Sequence, residues 1–397
     1  MFSQIRNLMV RGLNSIAGKT ERFLNRPRKP ANPLADRLLA DALRLAELPS
    51  PVPGEEPRAL FVLDRLKKCG FVPAVTKSGN IIVRLHAEEA PEEPILLFTD
   101  LGSMRWHPME SLARLDAENA AGAGLSDSLG PAALLSVAEN FYSGEFPRKR
   151  DLVLLFTVRM LDDPENNLPS LITGPSRRPA AAVGVRGLSL GTLVYPTGYC
   201  RLRIDVSSDR AEPANEVTQT LIVTARTLLE IRWDGEGKTR VFVRRIEAAA
   251  AWGRTPAEGI LELEIESSEG NLLELTKNAI KATAEKIGED AKLKVETTLL
   301  SFVPPGDREA GKPLFDTALK ILKEQRIKTN EENGADPASL FSCEGIPALS
   351  VGIALGREGA ERDVIRIESV ETGRRFLERL IAEIGEEKKY GPQSRTA

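Results

Sequence analysis

A short apolar run that ends in a carboxylate occupies residues 95–102, Ile95-Leu96-Leu97-Phe98-Thr99-Asp100-Leu101-Gly102. A second run of the same kind spans residues 151–158 and is apolar throughout positions 152–156. Strands that are hydrophobic without alternation are buried on both faces, which is typical of parallel sheets covered by helices. The sequence therefore predicts an α/β fold with a mixed, mostly parallel sheet flanked by helices.

Helical patterns separate these strands and return near the end of the chain. The predicted helices cover residues 38–48, 59–69, 132–141, 313–325 and 370–384. The predicted buried strands cover residues 81–85, 94–99, 151–158 and 347–354. Because buried strands alternate with helices on both sides of a different central region, we expect one sheet domain that is built from both ends of the chain.

The central region alternates apolar and charged residues. Residues 199–207 and 261–266 show this alternation, as expected of strands with one exposed face. Further elements are predicted as helices at 213–229 and 269–287 and as strands at 240–246 and 293–300. The order strand, helix, strand, strand, helix, strand is that of a ferredoxin-like unit. We expect its charged sheet face to be open to water or to a partner.

The chain thus divides into four predicted regions. They are a basic N-terminal arm (1–30), a discontinuous sheet domain (31–196 and 304–388), an inserted lid or dimerisation domain (197–303) and a polar tail (389–397). The arm has seven Lys and Arg residues against one acid, a local charge of +6, and its apolar residues recur at helical spacing. This pattern predicts an amphipathic helix that binds an anionic membrane surface or a protein partner. A frayed terminus, or a helix packed on its own protein, is the alternative.

Histidine is scarce, since the 397 residues include only His86 and His107. Imidazole is the commonest zinc ligand and general base, so the scarcity disfavours both kinds of chemistry. Three widely spaced cysteines, Cys69, Cys200 and Cys343, predict a reducing, cytoplasmic compartment rather than a disulfide framework or a thiolate zinc site. No apolar run approaches the ~20 residues of a transmembrane helix. The net charge of −3 disfavours nucleic acid as a partner.

Two further segments carry a resemblance to a known family. Gly122-Ala123-Gly124-Leu125-Ser126-Asp127 lies between the first two long strands, and Gly345-Ile346-Pro347 leads into the last one. With these segments in this order around a ferredoxin-like insert, residues 34–388 resemble the dizinc aminopeptidase and carboxypeptidase family that includes peptidase T and glutamate carboxypeptidase. The resemblance implies a zinc-exopeptidase-like fold, an inserted lid domain and a homodimer formed through that insert.

The resemblance also implies where the family's functional residues fall. Asp127 matches the carboxylate that bridges both metals, and Asp336, in Asp336-Pro337-Ala338, matches an acidic position before the last strand. The remaining positions are changed. Asp100 occupies the position of a zinc-binding His, and Gly102 that of the Asp that orients it. Met160 and Leu161 replace the Glu pair that serves as base and ligand, Val185 replaces an acidic ligand, and Gly359 replaces the last His. In the insert, Glu212 stands for a His, and Ala248, Ala249 and Gly253 replace a substrate-binding Gly-Gly-x-x-x-Asn segment.

This pattern of replacement argues against dizinc chemistry. Two zinc ions about 3.5–4 Å apart need a bridging carboxylate and several further ligands to offset their repulsion. We therefore predict no catalytic residue, no metal and no cofactor, because Met160 occupies the position of the base. The predicted vestigial cleft consists of Asp100, Asp127, Met160, Leu161, Val185, Asp336 and Gly359. A cation such as Arg159, or backbone N–H groups, would then hold the carboxylate of Asp127.

Two other arrangements remain open. A shift of two residues would bring Asp162 and Asp163 together with Asp100 and Asp127 in a carboxylate cluster, which suits Mg²⁺, Mn²⁺ or Ca²⁺. Against this, residues 162–167 are typical of a solvated turn, which is the favoured interpretation of the segment. A Ser-His-Asp site would have to use Ser126 and His107, and the sequence has no nucleophile-elbow motif to support it.

The leading prediction is a pseudo-peptidase, a metallopeptidase fold kept as a binding, scaffold or assembly component after its catalytic site decayed. The alternative is an active hydrolase of peptides or N-acyl amino acids that uses an altered metal site. A third hypothesis is a sensor that binds a small ligand in the cleft between sheet domain and insert. The sequence places the protein in the cytoplasm, peripheral to a membrane if the arm binds lipid.

Overall fold

The computed structural model describes residues 32–51, 53–87, 93–103, 112–141, 149–158, 178–210, 215–231, 233, 238–250 and 254–386. The predicted N-terminal arm and polar tail lie outside these residues. Within the described ranges, no helix is both long enough and apolar enough to cross a membrane.

Helices and strands alternate along the described chain. The helices are α1 (Pro33–Glu47), α2 (Glu56–Lys68), α3 (Leu125–Phe141), α4 (Glu216–Glu230), α5 (Gly270–Ala291), α6 (Arg308–Glu324), α7 (Ser339–Ser342) and α8 (Ile367–Glu386). The strands of the first half are β1 (Ala74–Val75), β2 (Ile81–Leu85), β3 (Ile95–Asp100), β4 (Arg114–Leu115), β5 (Asn119–Gly122), β6 (Leu152–Thr157), β7 (Ala181–Arg186) and β8 (Thr192–Pro196). Those of the second half are β9 (Gly198–Ser207), β10 (Thr239–Glu247), β11 (Glu258–Ser267), β12 (Lys294–Val303), β13 (Asn330–Gly334), β14 (Ala348–Gly352), β15 (Gly356–Arg357) and β16 (Asp363–Arg366).

The main sheet has eight strands in the order β1-β2-β6-β3-β7-β14-β8-β13. Its centre, β6-β3-β7-β14, is parallel, whereas β1, β2 and β8 pair antiparallel with their inner neighbours. Along β3, Ile95 and Leu97 pack into one core cluster, and Leu96 and Phe98 pack into another on the opposite face. The predicted mixed, mostly parallel sheet that is buried on both faces is therefore confirmed.

Helix α3 begins seven residues before the predicted start at residue 132. The prediction placed Pro131 at the beginning of the helix, where proline is favoured, but Pro131 lies inside it. The buried Asp363 carboxylate accepts hydrogen bonds from both the N–H (3.0 Å) and the hydroxyl (2.7 Å) of Ser126. Ser126 and Asp363 are 237 residues apart in sequence, and their contact holds the first turn of α3 in helical form. Asp127 consequently lies on the first turn of α3 rather than in a loop before it.

The insert forms its own antiparallel sheet, in the order β10-β11-β9-β12, with α4 and α5 packed on one face. Its elements follow the chain order β9, α4, β10, β11, α5, β12, which is the predicted ferredoxin-like arrangement. Its core consists of alternate residues of β9 and β11, among them Leu202, Ile204, Leu263 and Ile265, together with the apolar faces of both helices. The precise domain bounds given by the sequence stay predictions.

The charged face of this second sheet is less open than the sequence predicts. Glu264 and Glu266, on the face opposite the helices, are 5% and 7% exposed. The Arg240 guanidinium donates a 2.6 Å hydrogen bond to the carbonyl of Asn333 on β13, so one end of the face is covered by the main sheet. Alternation shows that a strand has a polar face, but it does not show whether another part of the chain covers that face.

A third, small sheet has the order β15-β16-β5-β4 and is antiparallel throughout. Its strands are two to four residues long, too short to produce a periodic pattern, and the sequence did not predict them. Strand β16 pairs Asp363 with Gly122. This pairing brings Asp363 under the first turn of α3, beside the cavity described next.

Candidate functional site

A cavity of about 530 Å³ opens where the parallel strands of the main sheet end. The carboxyl ends of β3, β7 and β14 form its floor, and Tyr199 and Arg201 of β9 form the wall contributed by the insert. Four of the predicted cleft residues, Asp100, Asp127, Val185 and Asp336, line this cavity. The structure thus brings together residues that are far apart in sequence, at the edge of the sheet where ligands bind in α/β folds.

Asp100, the last residue of β3, is held by the neighbouring strand. The Thr157 hydroxyl, at the end of β6, donates a 3.1 Å hydrogen bond to its carboxylate. Desolvation by the surrounding protein raises the pKa of Asp100 to about 7, and the nearby carboxylate of Glu55 acts in the same direction. Hydrogen bonds from Thr157 and from the backbone of Gly102 and Leu101 only partly oppose that rise.

Asp127 lies on the first turn of α3, where the helix dipole favours a negative charge. The Ser103 hydroxyl, three residues beyond the end of β3, donates a 2.7 Å hydrogen bond to its Oδ2. Gly124, in the turn before the helix, has a φ of +69°, and a side chain there would meet Ser103 Oγ at 2.6 Å. The glycine therefore allows the Ser103–Asp127 contact.

Arg58 of α2 is fully buried, and its charge interacts with both of these carboxylates. Its Nε donates to the carbonyl of Leu45 (2.9 Å), one terminal nitrogen to the carbonyl of Leu101 (3.2 Å) and the other to Ser128 Oγ (3.0 Å). Burial lowers the pKa of Arg58 to about 10, while the charges of Asp127 and Asp100 act to raise it. At neutral pH the guanidinium therefore remains charged beside both acids.

The sequence did not single out Arg58, although it carries a signal. Arg58, Val62 and Leu66 recur every four residues and share the buried face of α2. A charged residue on an otherwise apolar stripe must find partners when the helix packs. The sequence instead suggested Arg159 as the cation near Asp127, and Arg159 lies outside the described residues.

Asp336, the predicted structural remnant, is 4% exposed. Its Oδ1 accepts hydrogen bonds from the backbone N–H of Ala338 (2.8 Å) and from the hydroxyl of Ser350 on β14 (2.5 Å). Its Oδ2 lies 3.8 Å from a terminal nitrogen of Arg186, which follows Val185 at the end of β7. Asp336 is thus a fixed part of the cavity wall, and Arg186 is a cavity residue that the sequence did not predict.

The other predicted positions are placed as follows. Gly359 lies in the turn between β15 and β16, next to Glu358, which lines the cavity. Gly102 lines the cavity after β3, whereas Ala249 lies at the far end of the insert, beside Glu247 and Glu258. The positions that fall outside the described residues are His107, Met160, Leu161, Asp162, Asp163, Glu212 and Gly253.

Ser126, the serine of the alternative Ser-His-Asp site, and His86, the one histidine among the described residues, both have structural partners. The Ser126 hydroxyl donates to the buried Asp363, so it is engaged below the cavity. His86 follows β2 and lies 3.1 Å from Asp151, which precedes β6. Since β6 runs toward the cavity and Asp151 stands before its first residue, His86 is at the opposite edge of the sheet.

The resemblance to dizinc enzymes requires a test of whether this cavity fits two metal ions. In the described part of the chain, no group of three or more His, Cys, Asp or Glu side chains is arranged to hold a metal. Asp100 and Asp127 have hydroxyl donors and a buried guanidinium as neighbours, and the described histidine is at the far edge. These donors do not fit a dizinc centre, which needs nitrogen and oxygen ligands around both ions.

Comparison with solved structures shows similar folds. A tripeptidase from Staphylococcus aureus has a TM-score of 0.69 at 14% identity, covering 89% of this chain and 99% of its own. The di-peptidase Dug1p from Saccharomyces cerevisiae has a TM-score of 0.68 at 16% identity, with 89% and 97% covered. YxeP from Bacillus subtilis, a dinuclear metal-binding peptidase of the M20 family, has a TM-score of 0.59 at 14% identity, with 88% and 98% covered.

These neighbours show that the chain has the fold of the M20 dizinc peptidases, including the inserted domain. The resemblance inferred from the sequence is therefore confirmed for the fold. No family model matches the sequence, and no curated protein matches it.

Proposed function

We propose that the protein is a catalytically inactive metallopeptidase-like protein that acts as a binding, scaffold or assembly component. The observation that carries this proposal is the fully buried guanidinium of Arg58, which donates hydrogen bonds to Leu45, Leu101 and Ser128 and is close enough to Asp127 and Asp100 to interact with their charges. A positive charge held there by three hydrogen bonds takes the place of cationic charge that a metal would bring to the same carboxylates. It also opposes the entry of divalent ions by charge repulsion.

The partners of the two acids support the same proposal. The carboxylate of Asp127 accepts a 2.7 Å hydrogen bond from Ser103, and in the described part of the chain no group of three His, Cys, Asp or Glu side chains is arranged around it to hold a metal. Asp100, at the position of an imidazole ligand, accepts a 3.1 Å hydrogen bond from the Thr157 hydroxyl. Val185, at the position of an acidic ligand, contributes only an apolar side chain.

The test is a measurement of bound metal on the purified full chain, together with peptide hydrolysis in added Zn²⁺, Mn²⁺ and Co²⁺. We expect substoichiometric metal and no metal-dependent turnover. Stoichiometric metal accompanied by metal-dependent hydrolysis would overturn the proposal. Arg58→Gln, assayed in parallel, shows whether the guanidinium itself keeps metal out.

The alternative is a metal-dependent hydrolase of peptides or N-acyl amino acids with an all-carboxylate site. The observation that favours it is that Asp100 and Asp127 line one cavity. Asp162 and Asp163 would have to join them. Turnover that appears with Mg²⁺, Mn²⁺ or Ca²⁺ and is lost in Asp162→Asn/Asp163→Asn would establish this alternative.

The proposed role also involves two contact surfaces. We expect the insert to form a homodimer, which light scattering of the full chain would detect as twice the mass of 43.4 kDa. We expect residues 1–30 to bind a protein partner or an anionic membrane surface. Deletion of these residues should then abolish retention on anionic vesicles or on the partner, and unchanged retention would rule out that role.

A further inference from the structure

Arg186 ends β7 and reaches into the cavity with 57% of its side chain exposed. Its nearest described carboxylate oxygen, Oδ2 of Asp336, is 3.8 Å away, which is longer than a hydrogen bond. The N–H groups of the guanidinium are therefore not committed to Asp336. They form a planar fork that matches two oxygens of a carboxylate or a phosphate.

Asp336 keeps this guanidinium in place without using its donors. The side chain of Asp336 is 2% exposed and is fixed by hydrogen bonds from Ala338 and Ser350. A carboxylate that cannot move attracts Arg186 to one side of the cavity by charge alone.

The wall contributed by the insert carries a second arginine. Arg201 Nε donates a 2.8 Å hydrogen bond to Oε2 of Glu264, and the other oxygen of the same carboxylate accepts from Arg244. One negative charge shared by two guanidinium groups leaves an excess of positive charge on this wall. Arg201 therefore adds to the attraction of an anion toward the cavity.

Five acidic side chains also line the cavity, namely Asp100, Asp127, Glu332, Asp336 and Glu358. Asp127 accepts a hydrogen bond from the Ser103 hydroxyl and interacts with the charge of Arg58. Asp336 accepts from Ala338 and Ser350, and Glu332 accepts a 2.9 Å hydrogen bond from Asn330 on its own strand. Hydrogen bonds hold these carboxylates in place without removing their charge, so we expect an anionic group to bind only on the side of the cavity that carries Arg186 and Arg201.

We infer that the cavity binds a small molecule through an oxyanion group, a carboxylate or a phosphate, held by the guanidinium of Arg186 without an intervening metal ion. This inference rests on the proposed function, because it assigns a ligand class to the cavity of a non-catalytic protein. Phe98, Val194 and Tyr199 supply apolar and aromatic lining for the rest of the ligand. The volume of about 530 Å³ suits a small molecule.

The experiment compares three probes that share one ring. Benzoate carries the oxyanion, benzylamine carries the opposite charge, and benzyl alcohol is neutral. Inorganic phosphate is the fourth probe. Binding to the full chain is measured by calorimetry in EDTA, for the wild type, for Arg186→Gln and for Arg186→Lys. Arg226→Gln, on the exposed surface of α4, is the matched control.

We expect benzoate or phosphate to bind in EDTA, and benzylamine and benzyl alcohol to bind more weakly. Arg186→Gln should weaken anion binding about ten- to a hundredfold, the effect of losing charge-assisted hydrogen bonds. Arg186→Lys should fall in between, and Arg226→Gln should match the wild type. Binding of benzoate assigns the carboxylate class, whereas binding of phosphate alone assigns the phosphate class.

The inference is overturned if neither anion binds, if benzylamine binds as tightly as benzoate, or if Arg186→Gln binds like the wild type. Anion binding that requires added metal also overturns it. Thermal unfolding of each variant verifies folding, and Arg186 is exposed enough for the glutamine to be tolerated. Metal-dependent hydrolysis would defeat the proposed function while leaving EDTA-insensitive anion binding intact, so the two failures are distinguishable.

Discussion

Two clusters of arginine and carboxylate in this protein differ in how their charges are compensated. Beneath the cavity, Arg58 is fully buried, makes three hydrogen bonds and lies beside Asp127 and Asp100. On the insert, Glu264 is buried but its two partners, Arg201 and Arg244, keep 27% and 53% of their side chains exposed. The arginine of the first cluster is therefore buried inside the fold, whereas the two arginines of the second cluster are partly exposed to solvent.

The difference explains why one cluster is structural and the other can take part in binding. A buried guanidinium has no access to water, so each of its donors must be satisfied by the protein. A half-exposed guanidinium can exchange water for a ligand. The cavity lies between the two clusters. Asp100 and Asp127, which interact with the charge of Arg58, line one side of it, and Arg201 lines the other.

The largest expected effect is that of Arg58→Met. The substitution removes the donors of three buried acceptors and leaves Asp127 without its cation, so we expect a loss of about 3–5 kcal/mol in the free energy of unfolding. Urea denaturation measures it. Lys68→Met, at a site 66% exposed on the same helix, should change stability by less than about 0.5 kcal/mol. Equal effects at both sites would show that burial of Arg58 is unimportant.

A second substitution examines whether Asp127 is the electrostatic partner. In the Arg58→Met background, Asp127→Asn removes a negative charge that no longer interacts with the guanidinium of Arg58, and we expect it to recover about 1–2 kcal/mol. In the wild type the same change should be destabilising, because it deprives Arg58 of a counter-charge. Additive effects in this double-mutant cycle would separate the two residues and weaken the case for Arg58 as the compensating cation.

Glu264→Gln tests the exposed cluster and should be milder. Its two arginines can be rehydrated, so we expect a loss of about 1–2 kcal/mol. Burial opposes ionisation of Glu264, but the hydrogen bonds from Arg244 and Arg201 outweigh it and lower its pKa. The contribution of the ion pairs is therefore present above the ordinary pKa of 4.5 and is lost as pH falls through the lower folded value. Denaturation as a function of pH should show this slope in the wild type and not in the variant.

Asp100→Asn should have an effect of the opposite sign. Because the pKa of Asp100 is raised from 3.8 to about 7, the folded state binds its proton more tightly than the unfolded state. The contribution of Asp100 to the free energy of unfolding falls as pH rises from 4 to 7 and stays low above that range. The asparagine variant should be more stable than the wild type at pH 8, by up to about 1.4 kcal/mol for each unit of that rise in pKa, and the gain should vanish below pH 4. A variant less stable at pH 8 would contradict the raised pKa.

The fold was predictable because its signals are local. Residues 95–102 and 151–158 are continuously apolar, and residues 199–207 alternate, so the sequence distinguishes buried strands from half-exposed ones. The short strands β4, β5, β15 and β16 gave no such signal. Without them the sequence could not show that Asp363 reaches Ser126 or that α3 begins before Pro131.

The candidate site was predictable in part. The positions of Asp100, Asp127, Val185 and Asp336 followed from the resemblance, and all four line the cavity. The partners of these residues were not predictable, since Arg58 and Ser103 lie on other elements and approach Asp127 only when the sheet and helices pack. The same applies to Arg186, whose position follows from the end of β7 rather than from any motif.

The pattern of apolar and polar residues along the sequence was sufficient to establish the class of fold, because strand burial and helix amphipathicity depend on residues that are neighbours in sequence. It was also sufficient to show how few imidazole ligands the chain can offer, since that is a matter of composition. Packing was needed to establish which cation compensates Asp127 and which arginine is left facing the cavity. Both depend on burial and on distances between residues that are remote in sequence, and the dielectric surroundings of a charge arise only when the chain is folded.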